Sequence, residues 1–572
     1  MHLERKTTFS ILSFLLILLL VFIAYSNTFT VPFLFDDITS IVEKQKLYMG
    51  DFSSLYHEFA QRIVVYLTFK GNFYFNQLDV FGYHLVNTGI HVVCSFLVYL
   101  FTFELVKAHS SITKSNDSLL LNIRWFALFV SLMFALHPLQ TQAVTYIVQR
   151  TTSLAALFYL ATMFSYLKLR VSTHFKGKLF LFVSTIIFFI LAILTKQSAF
   201  TLPFALILIE IVFIYPITRY SLKLPLILGV LSVGLAAVLL LLNPEILVKI
   251  DAASRETLDF TRLAYFETQL TVLLHYVKLF IYPAQLQVEY IYPLADGKLM
   301  DSIGYIFLYI FILGVGFYNI RKAPIVSFAV FFFFIAHGIE SSFIPISDLV
   351  FEHRTYLPNL SLCILFVYLF FKSAPNRTVY IKSVLLVIIL FLTFLTYQRN
   401  ALWNDPEKLY KNELLVNKNK PRMHAMLGEY YRTQKLDKLS ASSYKKAFDL
   451  AGSFNDLDNQ GYDAKFGYFN NYIAALSRYG ENKKAIEQTL ILLPELKGSK
   501  FLALIYVNLG TFYWKEKNYL HCTKYMFQAM KIKPEMIEPV IGVGKCFEEM
   551  GDKEMALHMF NKARKMVMAA KQ

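Results

Sequence analysis

The stretch VYIKSVLLVIILFLTFLTYQRNALWNDPEKLY, residues 379–410, decides the fold, because two kinds of sequence meet inside it. From Val379 to Tyr397 a single lysine interrupts an apolar run long enough to cross the hydrocarbon of a bilayer. From Arg399 onward polar and apolar residues mix as they do on water-exposed helices. The first kind recurs upstream and the second continues downstream. Residues 1–398 therefore read as a polytopic membrane domain, 399–419 as a linker and 420–572 as a helical-repeat domain, an all-α chain throughout.

The composition agrees with a chain solvated largely by lipid. Of 572 residues 56% are hydrophobic, only 17% are charged and 55 are Phe, with a mean hydropathy of +0.47. The net charge of +16 is read as lysine and arginine gathered in cytoplasmic loops and a basic tail, not as a nucleic-acid surface. Cys94 and Cys363 lie in apolar runs and Cys522 and Cys546 in the tail, with no CxxC spacing to suggest zinc or redox chemistry. A disulfide between Cys522 and Cys546 is left open.

Apolar spans are expected near 7–27, 82–106, 125–141, 153–169, 179–195, 199–217, 224–243, 302–320, 324–344, 357–371 and 379–397, about eleven in all. The first, behind the basic head MHLERK, lacks a small-residue cleavage site and is read as retained. Basic residues fall in alternate loops: Arg5 and Lys6; Lys107, Lys114 and Arg124; Lys168, Arg170, Lys176 and Lys178; Arg219 and Lys223; Arg321 and Lys322; Lys372, Arg377 and Lys382. This places the N-terminus inside, and the segments 28–81, 137–152, 244–301 and 345–356 outside together with the tail. Segment 262–283 carries Arg262, Glu267, His275 and Lys278 and is read as interfacial or re-entrant.

The tail repeats. Leu509-Gly510, Tyr513, Ala529 and Pro534 are followed 34 residues later by Val543-Gly544, Phe547 and Ala563, with Ala556 and Phe560 in the same unit. That is tetratricopeptide spacing. An earlier unit holds Leu427-Gly428, Tyr431, Tyr444 and Ala447, and a weaker one Tyr472, Leu476 and Ala485 after an insertion around 453–465, about four repeats in total.

Four outward segments carry candidate chemistry. Asp36 and Asp37 directly follow the first span, where one carboxylate is a candidate general base and the pair a loop or helix cap in the alternative. His84, Asn87 and His91 share one helical stripe, suited to interhelical hydrogen bonding or to the site itself. HPLQTQAVTYIVQR sets His137, Gln142, Tyr146, Gln149 and Arg150 on the outer side, where Arg150 would grip a phosphate or snorkel. HGIESSFIPISDLVFEHRTYLPNL brings Glu340, Asp348, Glu352, His353, Arg354 and Tyr356 to one short loop. There Arg354 would hold a phosphate while Glu352 and Tyr356 position sugar or acceptor, or Glu352 and Arg354 would form a structural ion pair. Lys196 and Arg262 are further outward bases, and Arg62 joins the residues expected to line the site. No Walker loop, GxSxG elbow, HExxH helix or dinucleotide fingerprint occurs in the sequence.

FLFDD, FGYHLVNTGIH, HPLQTQAVTYIVQR, TKQSAFTLP, FEHRTYLPNL and RNALWND, followed by the repeats, occur in an order that resembles the transmembrane and tetratricopeptide-repeat O-mannosyltransferase-like proteins of the GT-C superfamily. The resemblance covers essentially the whole chain. It implies inverting transfer of a sugar from a polyprenyl-phosphate donor to a hydroxyl of a protein acceptor bound by the repeats, with an acidic residue of the first outer loop as base. Asp36 and Asp37 match that position, His137, Gln142 and Arg150 the second motif, and Glu352, His353, Arg354 and Tyr356 the last. Gln142 departs from the pattern of animal members, where an acidic residue is common; this weakens a two-carboxylate metal site, and a divalent metal is left open but not predicted, with no other cofactor expected. The Lys-, Asn-, Phe- and Tyr-rich composition suggests a bacterial inner membrane, with the repeats in the periplasm. A membrane-anchored scaffold and a lipid-linked-sugar flippase, the latter favoured by Glu210 and His91, are the competing functions.

Overall fold

The computed structural model describes residues 2–113, 122–172, 174–214, 257, 259–373, 377–454, 459–496 and 499–569. The chain forms two compact units, Met1–Asp405 and Pro406–Gln572, and every regular element among the described residues is a helix.

The principal helices of the first unit are α1 (His2–Tyr25), α2 (Ile63–Asn76), α3 (Val80–Thr113), α4 (Ile123–Leu136), α5 (Thr141–Thr145), α6 (Arg150–Val171), α7 (Phe175–Ile193), α8 (Leu202–Ile209), α9 (Arg262–Ile281), α10 (Ile303–Asn319), α11 (Pro324–His337), α12 (Asn359–Ser373) and α13 (Thr378–Trp403). Seven helical stretches among the described residues are long and apolar enough to cross a membrane, and an eighth is added if α4 and Pro138–Thr145, bent by 53°, count as one. The expected span at 224–243 lies outside the described residues. Those expected at 324–344 and 357–371 correspond to helices of 14 and 15 residues, Pro324–His337 and Asn359–Ser373; at 1.5 Å per residue these reach about 21–23 Å, short of the ~30 Å hydrocarbon. α9 carries Arg262, Glu267 and Lys278 and is not among the spanning candidates.

The outside of this unit is apolar. Leu12, Leu19 and Phe22 of α1, Phe180, Phe182 and Ile190 of α7, and Phe307 and Phe311 of α10 are all exposed, a distribution that only lipid makes favourable. Several polar side chains turn inward and pair. Glu210, one residue past α8, accepts from Arg170 Nη2 at 2.7 Å, Arg170 Nε at 3.0 Å and Tyr166 at 2.8 Å. The carboxylate that favoured a flippase is thus a fixed tie between α8 and the end of α6.

The second unit opens with α14 (Pro406–Val416). Four helical hairpins follow: α15 (Pro421–Thr433) with α16 (Asp437–Leu450), α17 (Asn459–Arg478) with α18 (Asn482–Leu492), α19 (Leu502–Lys515) with α20 (Tyr519–Ile532), and α21 (Ile537–Glu549) with α22 (Lys553–Ala569). Each hairpin turns through one left-handed residue: Lys435, Gly480, Lys517 and Gly551, at φ 59°, 93°, 59° and 84°. The next N–H closes back on the first helix, from Leu436 to Tyr431 O, Glu481 to Leu476 O, Asn518 to Tyr513 O and Asp552 to Phe547 O. This cap satisfies carbonyls that the helix end would otherwise orphan. Within the hairpins, a Cβ added to Gly428, Gly510 or Gly544 would meet Tyr444, Met526 or Phe560 at 2.9, 2.8 and 2.7 Å, so the glycines set the distance between paired helices. Cys522 of α20 and Cys546 of α21 are joined by a disulfide.

Candidate active site

The loop after α1 separates two adjacent carboxyls. Phe35 adopts a left-handed backbone, φ 49°, a strained state for a bulky residue. Beyond it Asp36 is exposed while Asp37 is 1% exposed. Asp37 accepts from Leu34 N at 3.1 Å and Val148 N at 2.7 Å, which clasps the loop to the turn before α6. Burial pushes its carboxyl up to about 8 against those backbone donors, which favour the ionised form. The backbone N–H of Asp36 donates to the Tyr146 hydroxyl at 2.7 Å. Tyr146 and Phe35 both pack on Trp403, at 5.7 and 6.4 Å between ring centroids.

Tyr146 caps α5, a helix of five residues whose position follows from His137-Pro138. Proline has no N–H and ends α4; His137 fills the break, Nδ1 accepting from Leu139 N at 3.3 Å and Nε2 bonding Phe280 O at 2.9 Å. Four residues before Tyr146, Gln142 accepts from the N–H of His353 at 2.8 Å, bonds its Nδ1 at 3.1 Å and donates to Val288 O at 3.2 Å. α5 therefore carries at one end the tyrosine that holds Asp36 and near the other the amide that holds His353.

Around His353 the charge is positive. Arg62, Lys196 and Arg354 all act electrostatically on its ring, and burial together with these cations holds the imidazole well below its usual value, hence neutral. Lys196 pairs with Glu340 at 2.6 Å and donates to Thr152 at 3.0 Å. Burial alone would raise the Glu340 carboxyl, but Lys196 and Arg354 outweigh it and keep the group ionised. Arg354 is 4% exposed, donates to Leu349 O at 3.4 Å and lies over the Phe351 ring. A small cavity of about 20 Å³, room for a single water-sized group, opens among Thr152, Tyr159, Ser198, Glu340 and Arg354. Arg62 is exposed beside this cluster.

Other expected residues have different places. Arg150 is 0% exposed and donates to Asn87 at 2.6 Å, Asn72 at 2.6 Å, Thr68 at 3.1 Å and Tyr83 O at 3.0 Å, with Phe69 on its face. With its donors so engaged by the protein it ties α2, α3 and α6, which corrects the expectation that it faces a phosphate. Asn87 completes that tie by donating to Val144 O and Ile147 O. His84 Nε2 bonds Val31 O at 2.8 Å; His91 Nε2 bonds Ala135 O at 2.8 Å, so its Nδ1 accepts from Tyr356 at 2.7 Å. The polar stripe of α3 thus serves interhelical bonding. Arg262, half-buried, donates to Phe343 O at 2.7 Å. Glu352 reaches Arg399, 3.8 Å away, while Arg354 acts on Glu340 and Asp348. Tyr290 donates to Glu352 at 2.8 Å.

Tyr290, Arg399 and Trp403 were not singled out from the sequence. RNALWND, which holds Arg399, Asn400 and Trp403, was the available signal; Asn400 accepts from Thr145 at 2.7 Å and donates to Ala24 O at 2.9 Å, so the motif locks α13 to α5 and α1. Among the described residues no three His, Cys, Asp or Glu side chains gather as a metal-binding group would require.

No family model matches the chain. It is 25% identical over 482 residues, 79% of its length, to a protein O-mannosyl-transferase of Caenorhabditis elegans. Across 96% of its length it is 24% identical to protein O-mannosyl-transferase TMTC3 of Mus musculus. Over a shorter stretch of 158 residues, 25% of the chain, it is 30% identical to protein O-mannosyl-transferase TMTC2 of Homo sapiens. The chain spans 64% and 63% of the length of the first two relatives. Over most of its residues, then, the chain is similar to the TMTC protein O-mannosyl-transferases, and in that sense it is TMTC-like, as its motifs suggest.

Proposed function

We propose that this chain is a membrane glycosyltransferase that moves a sugar, mannose in the first instance, from a polyprenyl-phosphate carrier to a hydroxyl of a protein acceptor. One observation carries the reading: α5 joins an exposed carboxylate, Asp36, to the cluster of Arg62, Lys196 and Arg354 around His353. Base and phosphate-binding charge are the two things such a transfer needs.

In the proposed reaction the carrier enters sideways from the bilayer and its phosphate meets Arg354 and Lys196, with Arg62 at the entrance. Asp36 takes the proton of the acceptor hydroxyl as that oxygen attacks C1 of the sugar from the face opposite the phosphate. The new C1–O bond forms as the C1–O bond to phosphate breaks; the polyprenyl phosphate leaves with the electron pair, its added negative charge stabilised by the cations. A single displacement inverts C1. Asp37, buried and clasped to Val148, positions Asp36.

The reaction is placed on the extracytoplasmic side, where the alternation of basic loops puts the first outer loop. The Cys522–Cys546 bridge supports the same side for the hairpin unit, because such bonds persist in oxidising compartments. The four hairpins, read as tetratricopeptide repeats, would hold the protein acceptor.

The test compares glycopeptides by mass spectrometry from cells with the wild-type chain, with Asp36→Asn, and with none. Loss of one hexose-sized mass from the same Ser, Thr or Tyr sites in both defective strains is expected, with transfer reduced by about 100-fold or more in Asp36→Asn. Undiminished transfer by a correctly inserted Asp36→Asn protein would remove Asp36 as base, and unchanged glycosylation without the chain would leave a scaffold.

A further inference from the structure

Arg399, near the end of α13, is 7% exposed, yet its Nε and Nη2 groups have no hydrogen-bond partner among the described residues. A buried guanidinium has given up water at those groups, and native proteins replace that water with a partner. Nε–H and one Nη2–H lie along one edge of the planar group and point the same way, a two-donor fork. Near that edge stands Glu352, fully buried, with Oε2 3.8 Å from Nη2. The separation exceeds a hydrogen bond. Glu352 is itself held, since its other oxygen accepts from the Tyr290 hydroxyl at 2.8 Å and from Gln287 N.

An oxygen seated about 2.8 Å from both residues would bridge the gap. Its chemistry is restricted by what it faces. An anion there would meet the Glu352 carboxylate and a cation the Arg399 guanidinium. A hydroxyl suits both, accepting from the arginine fork and donating to the carboxylate. Resting on the transferase reading above, we propose that Arg399 and Glu352 form a subsite that binds one hydroxyl of the transferred sugar.

The position fits a glycosyl phosphate. Glu352 shares the single turn Glu352–Thr355 with His353 and Arg354, so the hydroxyl subsite adjoins the cations assigned to the phosphate, as sugar hydroxyls adjoin C1. Gln287 and Tyr290, which cover Glu352, belong to a segment without regular structure, residues 282–298, and the sugar enters as that segment shifts. A site built around a hydroxyl also discriminates sharply, because an analogue lacking the group leaves both buried partners unmatched.

The experiment uses the full chain in lipid nanodiscs with polyprenyl-phosphate mannose and its 2-, 3-, 4- and 6-deoxy analogues as donors. One deoxy donor is expected to lower wild-type kcat/KM by about 10- to 100-fold. Arg399→Gln should lose a similar factor with the full donor, lose little more with that one deoxy donor, and be partly rescued as Arg399→Lys. Glu352→Gln should show the same failure of the two losses to multiply, which covers an Arg399 variant that does not insert as a monodisperse protein. Losses from Arg399→Gln that multiply equally with every deoxy donor would make the residue structural and overturn the subsite. So would a matching loss of inhibition by sugar-free polyprenyl monophosphate, which would make the fork a phosphate site. No transfer by the wild-type chain from any donor would remove the transferase reading and the subsite with it, whereas uniform losses remove the subsite alone.

Discussion

Asp36 and Asp37 are neighbours in sequence and opposites in environment. A dipeptide of carboxylates just outside a span was visible in the sequence; which one meets solvent was not, because that depends on the left-handed turn at Phe35, a conformation no residue type there announces. Arg150 illustrates the same limit, since its four partners come from residues 63 to 82 positions away. The buried partner of the pair has a pH signature. The folded value near 8 lies above the ~3.9 of a carboxyl in water, so between them the folded chain binds more protons than the unfolded one. The contribution of Asp37 to stability is therefore full below about pH 4 and lost as pH rises through about 8. Melting the detergent-solubilised chain at pH 5 and pH 9 should show wild type weaker at the higher pH and Asp37→Asn changing less. At pH 5 the variant should melt lower, since an amide nitrogen cannot accept from Val148 or Leu34 and one buried N–H is left unmade, at about 1–3 kcal/mol; a wild-type melt that rises with pH would contradict the assignment.

At the scale of elements, each hairpin depends on one left-handed residue and one close approach between helices. Two of the four turns use glycine, whereas Lys435 and Lys517 carry a side chain in a conformation that L-residues disfavour. Lys435→Gly and Lys517→Gly should each raise stability by about 0.5–1 kcal/mol, read by denaturant melts with the exposed helix surfaces unchanged. Gly428→Ala and Gly544→Ala should lower it by about 1–3 kcal/mol, since the added methyl meets rigid rings. Gly510→Ala should cost less, because Met526 is flexible and can move aside. The Gly428, Gly510 and Gly544 units were legible because the same small residue recurs at the same place. The second hairpin was faint for a physical reason: aligned on the turn residues, Ile473 and Thr489 stand where the first hairpin has Gly428 and Tyr444, so the large and small partners have changed sides and the spacing no longer shows in the glycines. The helices of the first unit were legible where apolar length was sufficient. The span expected at 324–344 overextends α11 by seven residues, 338–344, which are not helical, whereas the span expected at 357–371 has the length of α12 and is displaced from it by two residues.

Over the whole molecule, the chain divides into two compact units, Met1–Asp405, whose described helices α1, α7 and α10 expose apolar faces, and Pro406–Gln572, built of helical hairpins. The composition change near residue 399 leads to the expectation of such a division. The bond between Cys522 and Cys546 was not plain, since the two lie on successive hairpins and only their packing brings them together. If the hairpin unit faces an oxidising compartment, a thiol reagent applied to denatured protein should label Cys94 and Cys363 but label Cys522 and Cys546 only after reduction; equal labelling of all four without reductant would place the unit in the cytoplasm. The apolar exterior of α1, α7 and α10 bears on kinetics as well as on solubility. Under the proposed reaction a donor anchored by a polyprenyl tail would meet this protein by diffusing in a plane, so the concentration that governs encounter would be a surface density. Adding plain lipid dilutes such a reactant, whereas adding buffer does not. Two preparations with the same moles of donor per litre can thus turn over at different rates, set by how much bilayer the donor has to share.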